Sequence, residues 1–192
     1  TDADPAHLFS YGQFNLAKQI SNYDYNHNVS VFWANFATQT TYIQESSYNP
    51  DDRDVGGNMF DNIYTESLYE LKKAREIINL KEVSAAETPL KNNKLAMIKV
   101  LEVYAYQYLV DNFGNVPYTE ALDMENATPV YDDASTIYDA IITDLQAAAS
   151  SFDVSAGAGS FASADIIYGG DIEKWKKLAY TLHLKLGIRL AD

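Results

Sequence analysis

The feature that most constrains this fold is a helical pattern over residues 88–112 that is apolar on nearly every side. Met97, Leu101 and Tyr104 lie on one stripe of it, and other apolar residues cover much of the remaining circumference. A helix on the surface of a protein keeps a polar face, so a helix without one is expected to be flanked on several sides. We therefore predict that this helix is central. Thr88 is expected to cap it, with Pro89 in its first turn.

The segment Asp111–Leu122 follows this pattern and contains two strong helix breakers. Gly114 stands where a helix commonly ends in a residue with positive φ, and glycine reaches that conformation at little steric cost. Pro117 fixes its own φ and favours an extended conformation at Val116. The segment is nevertheless rich in apolar side chains. We expect it to end the central helix and to be held against the core.

The rest of the chain predicts further helices and no convincing strand, and hence a single helical domain over residues 1–192. On the second of these helices Trp33, Phe36, Ala37 and Thr40 share a face, which predicts core packing. Helices of these lengths favour an antiparallel or solenoid-like stack of helix pairs, although no 34-residue repeat signature is present. The predicted helical ranges besides 88–112 are 3–20, 30–40, 59–80, 133–152 and 171–190.

Composition and charge exclude several classes of function. The net charge of −13 would repel a phosphate backbone or an anionic membrane surface, so nucleic acid is not expected as a partner. The chain has no cysteine, which removes disulfides, thiolate metal sites and cysteine nucleophiles. No apolar run is long enough to span a bilayer, and the sequence as given has no signal peptide before Thr1. Either the protein is cytosolic or a targeting segment lies outside this numbering. The last helical pattern lacks a stop signal, so we expect a fragment of a longer protein.

The best candidate for a binding loop runs from Tyr42 to Asn58, where the sequence is polar and irregular. Loops of about 15 residues without periodicity are uncommon in compact domains and are often functional. This one combines tyrosine rings with amide and guanidinium groups, which suit stacking on a ligand face and hydrogen bonding to its edge. The predicted ligand-binding residues are Tyr42, Gln44, Tyr48, Arg53 and Asn58.

Metal binding, phosphate binding and catalysis find little support in the sequence. Asp51, Asp52 and Asp54 raise the alternative of calcium, but the run lacks the ligand spacing of an EF-hand and its terminal glutamate. Gly169 and Gly170 precede a helix start, where an anion could bind, yet Asp171 already occupies the capping position. The histidines are scattered, and there is neither a G-x-S-x-G elbow nor a P-loop. We expect no enzyme, no metal and no cofactor.

Three stretches together resemble a known family. Asp111-Asn-Phe-Gly-Asn-Val-Pro-Tyr-Thr-Glu-Ala-Leu122 is similar to its Asp-x-Phe-Gly-x-Val-Pro-Tyr-x-Glu-Ala motif. The run Pro129-Val-Tyr-Asp-Asp133, leading into Ile137 and Asp144-Leu145, resembles a second segment. Asp165-Ile-Ile-Tyr-Gly-Gly-Asp171, Trp175 and the run ending in Arg189-Leu190 resemble a third. By these motifs, in this order and spacing, the chain resembles the SusD/RagB-like outer-membrane lipoproteins of Bacteroidota, most closely the SusD-like subgroup.

The resemblance implies a fold of tetratricopeptide-like (TPR-like) helix pairs in an α-α superhelix with long loops. It implies a nutrient-binding protein for a glycan or a peptide, placed on the extracellular face of the outer membrane by an N-terminal lipid anchor. The implied partner is a SusC-like TonB-dependent barrel transporter, on which the protein acts as a lid. Members are commonly longer than this chain, so the resemblance implies that the chain is the N-terminal part of such a protein and carries an incomplete binding site.

The motif residues that match the family best are expected to organise packing, because helix breakers and large apolar groups stand at helix ends. A different reading of the whole chain is a helical protein-interaction scaffold that binds no small ligand. A hydrolase is a third reading, without a specific sequence signal. The residues predicted as scaffold are Phe113, Gly114, Pro117, Tyr118, Trp175 and Arg189.

Overall fold

The computed structural model describes residues 3–21, 29–156 and 160–191. These residues form helices and one short two-stranded ribbon, so the predicted all-α class is confirmed. The helices are α1 (Pro5–Ser21), α2 (Ser30–Trp33), α3 (Val55–Asn62), a π-helical segment (Ile63–Leu68), α4 (Tyr69–Leu80), α5 (Thr88–Phe113), α6 (Ala134–Ser151) and α7 (Ile172–Arg189). The strands are β1 (Val116–Pro117) and β2 (Tyr131–Asp132), and 3₁₀ turns are formed by Glu45–Ser47, Asp51–Arg53, Val154–Ala156 and Ala162–Ala164.

Helix α5 is central, as its apolar circumference predicts. It packs against α1, α4, α6 and α7. Buried side chains point from it in several directions, including those of Met97, Leu101 and Leu109. The helix ends at Gly114, whose φ of 74° is unfavourable for a residue with a Cβ and whose N–H donates to the carbonyl of Val110 at 2.9 Å.

The sequence predicts Asp132 or Asp133 as the cap of α6 and Asp171 as the cap of α7, and the structure uses Asp133 and Asp171. The carboxylate of Asp133 accepts from the backbone of Ser135 and Thr136, and that of Asp171 accepts from the backbone of Lys174. At α5 the prediction was wrong, because a turn over residues 84–87 precedes the helix and Glu87 takes the capping position without a side-chain cap bond. Thr88 instead donates its hydroxyl to the carbonyl of Ser84 at 3.1 Å.

The segment after α5 contains the β-ribbon that the sequence did not predict. Val116 pairs with Asp132, and Pro117 pairs with Tyr131, in antiparallel register. The Asp132 carboxylate accepts from the backbone N–H groups of Tyr118 at 2.9 Å and Thr119 at 2.8 Å. These bonds lower the pKa of Asp132, the one from the Thr119 backbone most. The ribbon therefore ties the ends of a long irregular connection together.

The prediction of a helix over residues 30–40 was wrong. Helix α2 ends at Trp33, because Asn35 adopts a left-handed conformation with φ 59°. The N–H of Phe36 returns to the carbonyl of Val31 at 3.0 Å, and that of Asn35 to the carbonyl of Phe32 at 3.0 Å. This is the Schellman arrangement, which asparagine accommodates. The predicted core face does not form, and Phe36 is 85% exposed.

The helix predicted to start at Met59 starts at Val55, so Asn58 lies on a helix and not in the loop. Asp54 caps it by accepting from the backbone N–H of Gly57 at 3.2 Å. The π-helical segment continues this helix into α4 and faces α1. There the Ser67 hydroxyl donates to the carbonyl of Gly12 at 3.1 Å. A Cβ at Gly12 would lie 3.0–3.1 Å from Leu71 Cγ and the Ser67 carbonyl, so glycine permits this close approach.

The core continues from α5 to the ends of α1 and α7. Phe9 stacks on Phe161 with ring centroids 3.9 Å apart, and Trp175 packs beside Phe9. The sequence also predicts a polar break over residues 21–28 and a glycine-rich flexible loop over residues 155–163. Residues 22–28 and 157–159 of these segments lie outside the described residues. Among the described residues, no helix has both the length and the apolar content that crossing a bilayer would need.

Candidate ligand-binding site

The loop that follows α2 is ordered around one buried acidic residue, Glu45. Its side chain is fully buried, and the amide of Gln39 donates to its Oε2 at 2.8 Å. Arg53 Nε lies 3.4 Å from Oε1 as an ion pair, although Oε1 has no partner with hydrogen-bond geometry. The indole of Trp33 donates to the backbone carbonyl of Glu45 at 2.9 Å. The two 3₁₀ turns of the loop are thus fastened from several sides.

Three aromatic side chains are exposed at the end of α2 and on this loop, and we call them the aromatic surface: Trp33, Tyr42 and Tyr48. They are 40%, 71% and 66% exposed. The rings of Trp33 and Tyr48 are stacked, with centroids 5.9 Å apart and planes inclined by 26°. The Arg53 guanidinium lies 5.2 Å from the centre of the Tyr42 ring. Such rings expose a flat apolar face together with a hydrogen-bonding edge.

The backbone under the aromatic surface is held in an uncommon conformation. Tyr42 and Tyr48 have φ of 56° and 62°, values in the left-handed region that large side chains seldom adopt. Each costs on the order of 1–2 kcal/mol relative to a relaxed conformation. Strain of this kind persists where surrounding contacts enforce it, and it is concentrated at binding sites. The loop around Glu45 supplies such contacts.

The five residues predicted to bind ligand divide into two groups. Tyr42 and Tyr48 project outward from the loop. The other three make contacts within it: Gln44 accepts from Arg53 Nη2 at 3.4 Å, and Asn58 donates to the Arg53 carbonyl at 3.0 Å. Their role in ligand binding stays a prediction. Sequence reasoning missed Trp33, which it assigned to the core; the signal that could have found it is Asn35, a residue suited to ending a helix.

The acidic residues of the loop are spread over different tasks. Asp54 caps α3, whereas Asp51 and Asp52 are exposed in the second 3₁₀ turn. Within residues 3–21, 29–156 and 160–191, no three acidic or histidine side chains come together in a way that could hold a metal ion. At the helix start after Gly169 and Gly170, which the sequence offered as an anion position, Asp171 caps α7 and pairs with Lys174 at 3.3 Å.

The residues predicted as scaffold around the end of α5 lie in packed positions. Phe113 meets the ring of Phe60 edge to face, with centroids 5.4 Å apart. Tyr118 meets Tyr106 in the same manner at 4.7 Å. Pro117 is buried, and its carbonyl accepts from the hydroxyl of Tyr64 at 2.5 Å. Burial raises the pKa of that tyrosine far above its ordinary value, so it remains a donor.

Arg189 and Asp111 join three helices at the far end of the core. Arg189 Nη1 lies 3.0 Å from Asp111 Oδ2, and the Tyr138 hydroxyl donates to Asp111 Oδ1. Burial, reinforced by the Asp111 carboxylate, raises the pKa of Tyr138 to about 12. Asp111 on α5 therefore contacts both α6 and α7.

Trp175 belongs to a second buried acidic centre, Asp165. The indole N–H donates to Asp165 Oδ2 at 2.7 Å, and the amide of Gln13 donates to Oδ1 at 2.9 Å. The backbone N–H of Gly170 also donates to Oδ2 at 2.7 Å. Burial alone would raise the pKa of Asp165, but these hydrogen bonds outweigh it and lower the pKa. The motif Asp165-Ile-Ile-Tyr-Gly-Gly is thus a turn wrapped around its own carboxylate.

Comparisons with known proteins agree with this architecture. A search of curated proteins finds no significant match. Among solved structures, a chitin-binding protein is 25% identical with a TM-score of 0.76, over 98% of this chain and 39% of that one. A SusD-like protein of Bacteroidetes and a SusD homolog from Parabacteroides distasonis, 24% and 23% identical, have TM-scores of 0.69 and 0.68. The match to the first covers 99% of this chain and 34% of that protein, and the match to the second covers 98% and 35%.

The chain therefore spans little more than a third of the length of these solved structures. Their likeness confirms the predicted fold of TPR-like helix pairs. The family model described as "Starch-binding associating with outer membrane" matches residues 1–192. The chain belongs to this SusD-like family.

Proposed function

We propose that this chain is the N-terminal part of a glycan-binding protein of the outer-membrane surface, and that it binds its ligand without catalysing a reaction. The family description names starch, and one structural relative is named for chitin; both are polymers of pyranose sugars. The observation that carries the proposal is the neighbouring pair of exposed rings, Trp33 and Tyr48. We prefer a glycan over a peptide as the ligand because the family description and the name of this structural relative both refer to sugars.

A pyranose ring has a face of C–H groups that packs on an aromatic ring, while its hydroxyl groups remain in contact with water or hydrogen-bonding side chains. The Trp33 and Tyr48 rings stack on each other at an inclination of 26° and stay 40% and 66% exposed, so together they offer one apolar surface to a sugar ring. Tyr42, with the Arg53 guanidinium 5.2 Å from the centre of its ring, is a further exposed ring of the same loop. Because the Glu45 contacts hold the loop in place, little ordering is needed on binding.

The wider setting is part of the proposal. The protein is anchored by a lipid at its N-terminus, on the extracellular face of the outer membrane, and serves as the lid of a SusC-like TonB-dependent transporter. The family description, which refers to the outer membrane, supports this. Co-purification of the full-length protein with a large β-barrel from outer membranes would test it. A soluble cytosolic partner in place of the barrel would contradict it.

The binding experiment uses the full-length protein with Trp33→Ala and Tyr48→Ala substitutions. Titration calorimetry with chitin and starch oligosaccharides should show binding by the unmodified protein and a loss of about tenfold or more in each variant. Phe14→Ala removes a ring on α1 that is 54% exposed, between the values for Trp33 and Tyr48, and is the matched control. Unchanged affinity in both variants, or an equal loss in the control, would remove the aromatic surface from the site.

A further inference from the structure

A pocket of about 350 Å³ differs from the aromatic surface in that charged side chains contribute much of its lining. Its lining residues come from α4 and the π-helical segment before it, from α5, from α6 and from the loop of residues 118–122. We call it the α5 pocket. Its volume lies within the range of small-molecule sites. No residue of the aromatic surface lines it.

The charged residues of the α5 pocket form a chain across three helices. Arg75 Nε on α4 lies 3.0 Å from Glu102 Oε1 on α5. Lys99 Nζ lies 3.2 Å from Glu102 Oε2 and 3.0 Å from Asp144 Oδ2 on α6. Burial disfavours the charge of Lys99, but the two carboxylates outweigh that effect and raise its pKa. Lys72 Nζ on α4 donates to the Leu122 carbonyl at 2.7 Å, which ties the loop of residues 118–122 to α4.

Arg75 has unused hydrogen-bonding capacity. A guanidinium group has five N–H donors in a planar fork, and within the described part of the chain only Nε of Arg75 has a partner. Both terminal amino groups are thus available. The side chain is partly exposed and also lines an adjoining cavity of about 330 Å³, together with Lys99 and Asp144. A paired planar donor of this kind matches a carboxylate, which accepts two parallel hydrogen bonds.

The charge balance of the pocket differs from that of the chain. Three cations, Lys72, Arg75 and Lys99, face two carboxylates, Glu102 and Asp144, which leaves one positive charge in a chain of net charge −13. Glu76 lies 4.0 Å from Lys72 but is paired more closely with Lys73, at 2.9 Å, and does not line the pocket. A small anion is therefore better tolerated here than on the surrounding surface.

We propose that the α5 pocket binds a small organic carboxylate, held by the free amino groups of Arg75 with Lys72 beside it. Tyr106 lines the pocket, and burial keeps its pKa well above the ordinary value, so its hydroxyl stays protonated and available as a donor. An acidic sugar and the C-terminal carboxylate of a short peptide share the required group. This site is separate from the aromatic surface and does not depend on the proposed function.

The test is a titration of the full-length protein with four probes: glucuronic acid, glucose, N-acetylglycine and N-acetylglycinamide. Binding of at least one acid, and no binding of its neutral counterpart, is the expected result. Preference for glucuronic acid would identify an acidic sugar as the source of the carboxylate, and preference for N-acetylglycine would identify a peptide terminus. Equal binding of acid and neutral probe, or no binding of either acid, would overturn the proposal.

Substitutions then locate the site. Arg75→Gln should weaken binding of the acid by about tenfold or more, because a charged hydrogen-bonded pair is lost. Arg75→Lys keeps the charge without the fork and should give an intermediate loss; it also decides the question if Arg75→Gln fails to fold. Lys177→Gln, which removes one exposed positive charge from α7, is the control. Unchanged affinity in both Arg75 variants, or an equal loss in the control, would overturn the proposal.

Discussion

Glu45 and Asp165 are two buried carboxylates that each organise an irregular segment, and each has a tryptophan beside it. At Asp165 the Trp175 indole donates to the carboxylate itself and the ring is fully buried. At Glu45 the Trp33 indole donates to the backbone carbonyl and the ring remains 40% exposed. The same residue types therefore build a core anchor in one place and support an exposed ring in the other.

The two centres also differ in how fully each carboxylate is satisfied. Asp165 accepts hydrogen bonds from the backbone of its own turn, from Gln13 and from Trp175. Glu45 has one oxygen bonded to Gln39, while the other has Arg53 as an ion-pair partner without hydrogen-bond geometry. A fully satisfied buried network stabilises and specifies the core. One that relies on a single partly exposed arginine is more easily disrupted.

Truncation of the Trp175 side chain should have the largest effect on the free energy of unfolding. Trp175→Ala removes a fully buried ring and the donor to Asp165, and it should lower the free energy of unfolding by about 3–5 kcal/mol. Chemical denaturation followed by circular dichroism measures this. Tyr180→Ala, on an exposed position of the same helix, is the control. A loss no larger than that of the control would contradict the assignment of Trp175 to the core.

Arg53→Ala should have the next largest effect, since it leaves the buried Glu45 carboxylate without its positive partner. We expect a loss of about 1–3 kcal/mol in the free energy of unfolding. This differs from what a residue that only contacts ligand would give, namely an unchanged melting temperature. Adding Glu45→Gln to Arg53→Ala should restore part of the loss. A melting temperature unaffected by Arg53→Ala would show that the Glu45 centre does not depend on this ion pair.

Lowering the pH should remove the stability that the Asp165 carboxylate contributes to the fold. The pKa of Asp165 is lowered by folding, so its contribution to stability is present above the ordinary aspartate pKa, about 3.9, and is lost as the pH falls through the folded value. Asp165→Asn should therefore be less stable at neutral pH and should lose less stability on acidification. Denaturation midpoints measured from pH 7 downward compare the two proteins. Parallel pH profiles would contradict the account.

The smallest effect on stability is expected at the aromatic surface. Trp33→Ala removes an exposed ring and one hydrogen bond to a backbone carbonyl, so a loss of about 1 kcal/mol is expected. Tyr48→Ala should lower the stability by no more than this, because the ring is largely exposed. Alanine is strained in the left-handed conformation as tyrosine is, so the substitution gains no stability from the backbone. Thermal unfolding of both variants checks this. A loss as large as that of Trp175→Ala would mean that Trp33 belongs to the core, as the sequence first indicated.

Features set by one residue could be predicted from the sequence, whereas the two buried acidic centres could not. The caps Asp133 and Asp171 and the helix end at Gly114 were predictable, because each follows from the local conformation of one residue. The Asp165 centre was not, since its partner Gln13 stands far away in the chain. Trp33 was assigned to the core because apolar spacing was extended past Asn35, where the backbone reverses.

The candidate site was found only in part. Tyr42 and Tyr48 were picked from composition and from the absence of periodicity, and the structure shows them exposed. The contacts that occupy Arg53 and Gln44 could not be read from the sequence, because burial of Glu45 depends on how the loop folds back on itself. The α5 pocket joins residues of three helices and likewise has no local signal.

The central claim, that the exposed ring at Trp33 contacts the glycan, has a direct spectroscopic test because the chain contains two tryptophans. Trp33 is exposed and Trp175 is buried. Addition of chitin or starch oligosaccharides to the full-length protein should change the emission of the exposed indole, and Trp33→Phe should abolish that change while Trp175 remains. Further tryptophans outside this chain are accounted for by the difference between the two proteins. The account predicts a signal lost with Trp33; an identical emission change in Trp33→Phe would contradict it.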